Sequence, residues 1–466
     1  LDATSDIALA DVTVTGGLFA DATGAVSFGA LTGRDIQINA GGNITGGSAI
    51  SPNATGGVFD RVVLNSAGNI AIAGMVQAAD IVDIDGVNVS IGTMNSSSGN
   101  ILATGTADVG ALLGGTHVLQ GTSVNLDNGN IGGNLAVSAT AGDITGSGNL
   151  MVGGTIDYDA TGNIGFGDLD AQGGTFTVDA GGNINFTSAA SSAGMTLTAG
   201  GGINGGDLKA GGNLVATASG GDFTGGGMVA TGDINASATG NFSFTSISGG
   251  DITVDATTLT FDTASGGDID IISNGPIDFT SIGATGNIDI DATTGILVGD
   301  LTGGDINADG AVTIETNRDI FLDNVSGGSN VRITTRGDKN ITVGSLDSGT
   351  NVIVRSQGNF VADQVNAAKT AQGQVDIDAD GGVVLRNVSG NDIYLTATNG
   401  LVNVTNNVDA ANILIASGEA VSIVTQQDMS VRADATNGDI GLSSAANLDV
   451  QGAQATGNII IAAGGS

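Results

Sequence analysis

The side chains able to do chemistry are few in kind and uneven in number. The 466 residues include 47 Asp and Glu, 11 Lys and Arg, a single His, His117, and no Cys or Trp. A hydrolytic triad therefore has one place to form, at His117, where Gly-Gly-Thr-His-Val-Leu-Gln-Gly reads as an ordinary strand. Paired carboxylates are the stronger candidates, because glycan-cleaving parallel β-helices work with acids on one outer face. Here the acids follow a repeat, as at Asp233, Asp251, Asp268 and Asp305, and read as strand-start caps. Aromatic residues to hold a sugar are scarce, with two Tyr and no Trp. No enzyme is expected.

The same four acids are the candidate metal ligands. Asp oxygens suit Ca²⁺, and scattered Ca²⁺ binding along this ladder is the expectation, weighed against a solvated acidic face. No cofactor is required. The Gly-Gly-x-Gly-x-Asp nonapeptide does not occur in tandem. The Gly-rich string 200–206 has no helix after it to complete an anion cradle. Thr-x-Thr triplets at 13–15, 175–177 and 196–198 do not recur coil after coil, so an ice-binding face is not expected.

What positions these residues is a period of roughly 20. Each unit opens with Gly, then Asp or Asn, then Ile, and continues with alternating apolar and polar residues. Ile252/Val254 and Leu259/Phe261 are followed by Ile269/Ile271 and Ile277/Phe279, then by Ile288/Ile290 and Ile296/Val298. Ile247, Ile282 and Leu301 supply a weaker third position. The pattern continues through Val331/Ile333, Val352/Val354, Val375/Ile377, Ile393/Leu395, Ile413/Ile415 and Val431/Ala433. Period-two alternation marks half-buried strands. A single unit has too little core to fold alone, whereas stacked units pair every strand with its equivalents above and below. The expected fold is all-β: a right-handed parallel β-helix (β-solenoid), one continuous domain over 1–466. It would hold on the order of 23 coils in a rod roughly 110 Å long. Short insertions are expected near 51–58, 103–117 and 366–373. The 81 Gly are read as corner residues taking left-handed or strained backbone.

Composition narrows the partners. A formal net charge of −36 repels nucleic-acid phosphates and anionic lipid, so neither nucleic acid nor membrane insertion is expected. No apolar run approaches the ~18 residues of a membrane helix. The absence of Cys fits export through an oxidising compartment. Seven basic residues fall between Arg318 and Arg386, a candidate contact zone for the acidic surface of another copy.

The units from Ala180 to Phe223, AGGNINFTSAASSAGMTLTAGGGINGGDLKAGGNLVATASGGDF, resemble the filamentous haemagglutinin-type repeats of large secreted bacterial adhesins and related β-strand-repeat surface exoproteins. The resemblance covers nearly the whole chain through composition and period. The family's secretion domain with its Asn-Pro-Asn motifs is not matched. The resemblance implies an extracellular, surface-exposed or released fibre used in adhesion or biofilm matrix, with host or matrix glycans as partners. The alternative is a polysaccharide-binding or glycan-cleaving β-helix protein. Position 1 is Leu, which is read as a processed product or a segment of something longer. Alternating residues at both termini suggest head-to-tail stacking of copies through Leu1, Ile7, Ile459 and Ile461.

Overall fold

A computed structural model of the chain describes residues 1–52, 60–292, 301–369 and 373–465, with the side chain of Ile413 excepted. It is a parallel β-solenoid of about 23 turns, with coils of about 19 residues and no helix among the described residues. Two compact units divide it, Leu1–Thr239 and Gly240–Ser466.

In part of the first unit a coil consists of a five-residue strand and an eight-residue strand. Phe176–Ala180 and Ile184–Ser191 form one coil; Met195–Ala199 begins the next, in register with Phe176–Ala180. The inward residues stack in columns: Leu135, Ile156, Phe176, Met195 and Leu214 form one, and all are buried. Each such side chain contributes roughly 1.5–3 kcal/mol of burial. In the second unit Ile252, Ile269, Ile288, Val312 and Val331 form the equivalent column. Leu259, Ile277, Leu301, Ile320 and Ile341 form the next one.

The columns correct two assignments. Leu301, read as a third position, stands in register with Ile277 and so belongs to the second; Ile306 takes the third, opposite Ile282. The reason is one long coil: Ile288 to Val312 spans 24 positions, against 19 from Ile269 to Ile288. Ile296 and Val298 lie outside the described residues. In the strand Leu401–Gly418 the inward residues are Leu414 and Ala416, not Ile415, and the side chain of Ile413 lies outside what is described. An irregularity between Gly390 and Asp392 shifts the register there, and a one-residue slip exchanges the faces of a strand. The segment 103–117, expected as an insertion, runs in the strands Val89–Ala103 and Thr106–Gly121. Its corner is turned by Gly114 at φ 106° instead of by a Gly-Asx pair. Of the other two expected insertions, 53–59 and 370–372 lie outside the described residues.

The glycines do a different job from the one expected. Among the described residues only Gly114 and Gly337 have positive φ. Most corner glycines are needed because something occupies the place of a Cβ. At Gly286 it is the carboxylate of Asp268, one coil below. Phenylalanine columns end the same way. Phe261 stacks on Phe279 with ring centroids 5.8 Å apart, and the Phe279 ring then covers Gly303.

The core of the first unit holds an unpaired phenol. Tyr158 is fully buried between Val137 and Val178, edge-on to Phe166 at 6.4 Å, and its hydroxyl has no hydrogen-bond partner. Burial pushes the phenol pKa well above its ordinary value. An unsatisfied buried hydroxyl costs about 1–3 kcal/mol. Tyr158→Phe is therefore expected to raise the midpoint of urea unfolding; a lowered midpoint would mean that the hydroxyl is satisfied after all.

Candidate functional site

At many of the corners before a strand the chain turns, and a backbone N–H points along the stack. An Asp or Asn side chain of the previous coil supplies the acceptor. Asp251 Oδ1 accepts from Asp268 N at 2.9 Å, Asp268 Oδ1 from Asn287 N at 2.7 Å, and Asn287 Oδ1 from Ala311 N at 2.9 Å. The first unit repeats the device at another corner, where Asp143, Asn163 and Asn183 accept in turn from Asn163, Asn183 and Gly202 at 2.6, 2.8 and 2.8 Å. Each acceptor lies over the glycine of the next coil, as Asp251 over Gly267 and Asp268 over Gly286. The recurring Gly-Asx-Ile is thus one instruction: leave room, accept the next N–H, enter the core.

Of the four acids singled out in the sequence, Asp305 leaves the column that holds Asp251 and Asp268. Asp251 and Asp268 are consecutive members of one column. Asp233 lies in the first unit, where its N–H donates to Asn213 Oδ1 at 3.0 Å. Asp305 stands on another face, between Ser281 and Asn324, and accepts from Asn324 Nδ2 at 2.7 Å. No group of three or more His, Asp or Glu is placed to hold a metal ion among the described residues. Of the four residues expected to associate, Leu1, Ile459 and Ile461 are exposed and Ile7 is buried.

His117 is fully buried. Its Nε2 lies 3.0 Å from the Leu113 carbonyl oxygen and its Nδ1 has no partner. Desolvation holds the imidazole below its ordinary pKa, hence neutral. Gly99, in register one coil below, leaves space for the ring. Four of the seven clustered basic residues pair with acids of nearby coils. Arg336 pairs with Glu315 at 3.1 Å, Lys339 with Asp319 at 3.9 Å, Arg355 with Asp376 at 2.5 Å, and Lys369 with Asp409. The Arg318 side chain is buried and donates to the Asn274 carbonyl at 2.7 Å.

Two features had no clear signal in the sequence. Buried hydroxyls replace Ala at the inner corners: Ser273 Oγ donates to Gly275 O at 2.9 Å and Ser356 Oγ to Asn359 O at 3.2 Å. A Ser two residues before a Gly-rich corner is the only trace, in a chain where such residues are everywhere. The second is a groove of about 820 Å³ on the first unit, running past Asp2, Asp21, Asn39, Asn65 and Asp85. These five stand in register in five consecutive coils.

Two expected outcomes follow from these columns. Asp268→Asn keeps an acceptor, whereas Asp268→Ala loses it, so only the second is expected to lower stability, by about 1 kcal/mol; equal denaturation curves for the two variants would remove the side-chain acceptor from the account. The second concerns Asp270 and Asp289, which stack in register. Desolvation, and then the charges of neighbouring acids, hold both above the ordinary carboxylate pKa. A raised folded-state pKa destabilises the fold once the group ionises. Stability is therefore expected to rise as pH falls through the raised values and to level off below the unfolded value of about 3.9. Asp289→Asn is expected to raise the melting temperature at neutral pH and to flatten that acid gain. An unaltered pH profile in this variant would place the gain elsewhere.

Set against protein-family models, curated proteins and solved structures, the chain matches none.

Proposed function

We propose that this protein is an extracellular structural or adhesive element of the bacterial surface, a rod or filament subunit serving adhesion or biofilm matrix. The observation that carries the reading is the use made of the polar side chains. Asp and Asn, the residues most able to serve a reaction, are spent on holding one coil to the next, as in Asp251, Asp268 and Asn287. A chain that repeats this bond along its length gains cohesion from every coil. The acidic surface adds solubility and keeps anionic polymers away from all but specific contacts. Self-association and binding to host or matrix glycans belong to this proposal, as does loose Ca²⁺ binding along the acidic columns.

Display on a non-adherent bacterial cell tests it. Attachment to matrix-coated or host-cell surfaces is expected to increase with expression, and negative-stain micrographs of shed material are expected to show fibres. Unchanged attachment together with dispersed particles would refute the reading. Millimolar Ca²⁺ is expected to raise the melting temperature more than Na⁺ of matched ionic strength; identical curves would leave screening alone.

The groove at Asp21 and Asp85 favours a second reading, a polysaccharide-binding or glycan-cleaving surface. Incubation with polysaccharides separates the two, since release of new reducing ends that is lost in Asp21→Asn would select cleavage.

A further inference from the structure

A side-chain amide has one NH2 and one oxygen, so amides stacked coil on coil form a chain with a direction. Two columns of the second unit show the satisfied form. Asn324 donates to Asp305 at 2.7 Å and receives from Ser345 at 2.8 Å; Asn366 donates to Asp347 at 2.7 Å and receives from Ser389 at 2.8 Å. Each has one acid at its accepting end and a hydroxyl at its donating end.

The groove of the first unit breaks this rule. Asn39 donates its NH2 to Asp21 Oδ1 at 2.5 Å, and Asn65 donates its NH2 to Asn39 Oδ1 at 3.0 Å. Asn65 then has only its oxygen left for the next coil. The residue in register there is Asp85, a second acid. A carboxylate cannot donate to that oxygen, and Asp85 Oδ1 is buried without a hydrogen-bond partner. Turning both amides over would satisfy Asp85 and leave Asp21 facing an oxygen instead. Two amides bonded to each other, and so pointing the same way, can serve only one of the two carboxylates.

We propose that the column Asp21–Asn39–Asn65–Asp85 is a proton-holding switch, in which one proton resides on whichever end carboxyl the two amides do not serve. With the proton on Asp85, its O–H donates to the Asn65 oxygen, Asn65 donates to Asn39, and Asn39 donates to the Asp21 carboxylate. In the reversed state Asp85 releases that proton to solvent, both amides turn over, and Asp21 takes one up. The column carries the same charge in both states. A donor that arrives in the groove at one end fixes the direction of the amides and thereby the protonation of the other end. The two ends lie three coil steps apart, about 14 Å at the usual strand spacing.

The surroundings suit a retained proton. On its own strand Ile81–Gly86, Asp85 is accompanied by Asp83, which accepts from Asn100 Nδ2 at 2.9 Å. On the strand Arg61–Ser66 the one charged residue is Arg61, held by Asp35 at 2.8 Å and in register with Ile81. The strands Ile70–Gln77 and Val89–Ala103 carry no ionisable side chain. Beyond Asp21 the neighbour in register is Asp2. Desolvation, and then the Asp83 charge, hold the Asp85 carboxyl above its ordinary range.

Carbon-13 carboxyl NMR of the full chain, with the Asp85 signal assigned through Asp85→Asn, tests the switch. Asn39→Ala changes no charge but frees Asn65 to turn toward Asp85. The Asp85 midpoint is therefore expected to move down, equally in dilute buffer and in about 0.5 M salt, where Coulomb effects are screened. Asn39→Ser, with circular dichroism to confirm folding, serves if the alanine variant is unstable. An Asp85 midpoint unmoved by either Asn39 variant, with a shift in Asp21→Asn that salt abolishes, would reduce the coupling to charge repulsion and overturn the proposal.

Discussion

In a parallel stack of coils, each side chain has its own positional equivalent about 4.8 Å above and below it. Whatever occupies a position must therefore be tolerable stacked upon itself. Aliphatic residues pass without adjustment, and the inner columns of both units are built from them. Rings pass for a coil or two and then need a glycine, as Phe279 needs Gly303. Charges pass worst, because like carboxylates at that spacing repel by about 1 kcal/mol even in bulk water.

The polar columns show three ways of meeting that constraint. One alternates acid with amide and hydroxyl, as in Asp305, Asn324 and Ser345, so that repulsion becomes a directed hydrogen-bond chain. Another aims the carboxylate at the N–H of the next corner, as Asp251 and Asp268 do, giving the charge a fixed dipole to face. The third inserts a cation, as Arg355 beside Asp376. Where none operates, as between Asp270 and Asp289, the cost appears as raised carboxyl pKa values. Four of the seven basic residues clustered in sequence, Arg336, Lys339, Arg355 and Lys369, meet an acid in this third way.

The columns were legible because the period repeats in the sequence and the alternation within each strand has only two phases. Ile252, Ile269 and Ile288 could be placed from spacing alone. Legibility failed where the spacing or the alternation lost information. The coil from Ile288 to Val312 is longer than its neighbours, which displaced Leu301 by one position. Around Ile413 to Ala416 four apolar residues follow one another, so neither phase was preferred, and the irregularity near Gly390 decided it. The corner glycines were located correctly but given the wrong cause. Backbone angle and steric room both select Gly, and a sequence cannot tell them apart. The acids were seen as repeat-bound, yet Asp305 was grouped with Asp251 because the face a residue occupies depends on the strand it joins.

The amide columns carry this one step further. An Asn in a stack is symmetrical in shape but not in hydrogen bonding, so the two ends of its column determine how it points. With an acid at one end and a hydroxyl at the other, the direction is fixed and the column is inert. With an acid at both ends, the same residues acquire two states of equal charge. The difference between a cohesive column and a responsive one therefore rests on the end residue alone: Ser345 closes the first kind, and Asp85 opens the second. Repetition supplies the framework, and a single departure from it is enough to give one place on an otherwise uniform surface a property of its own.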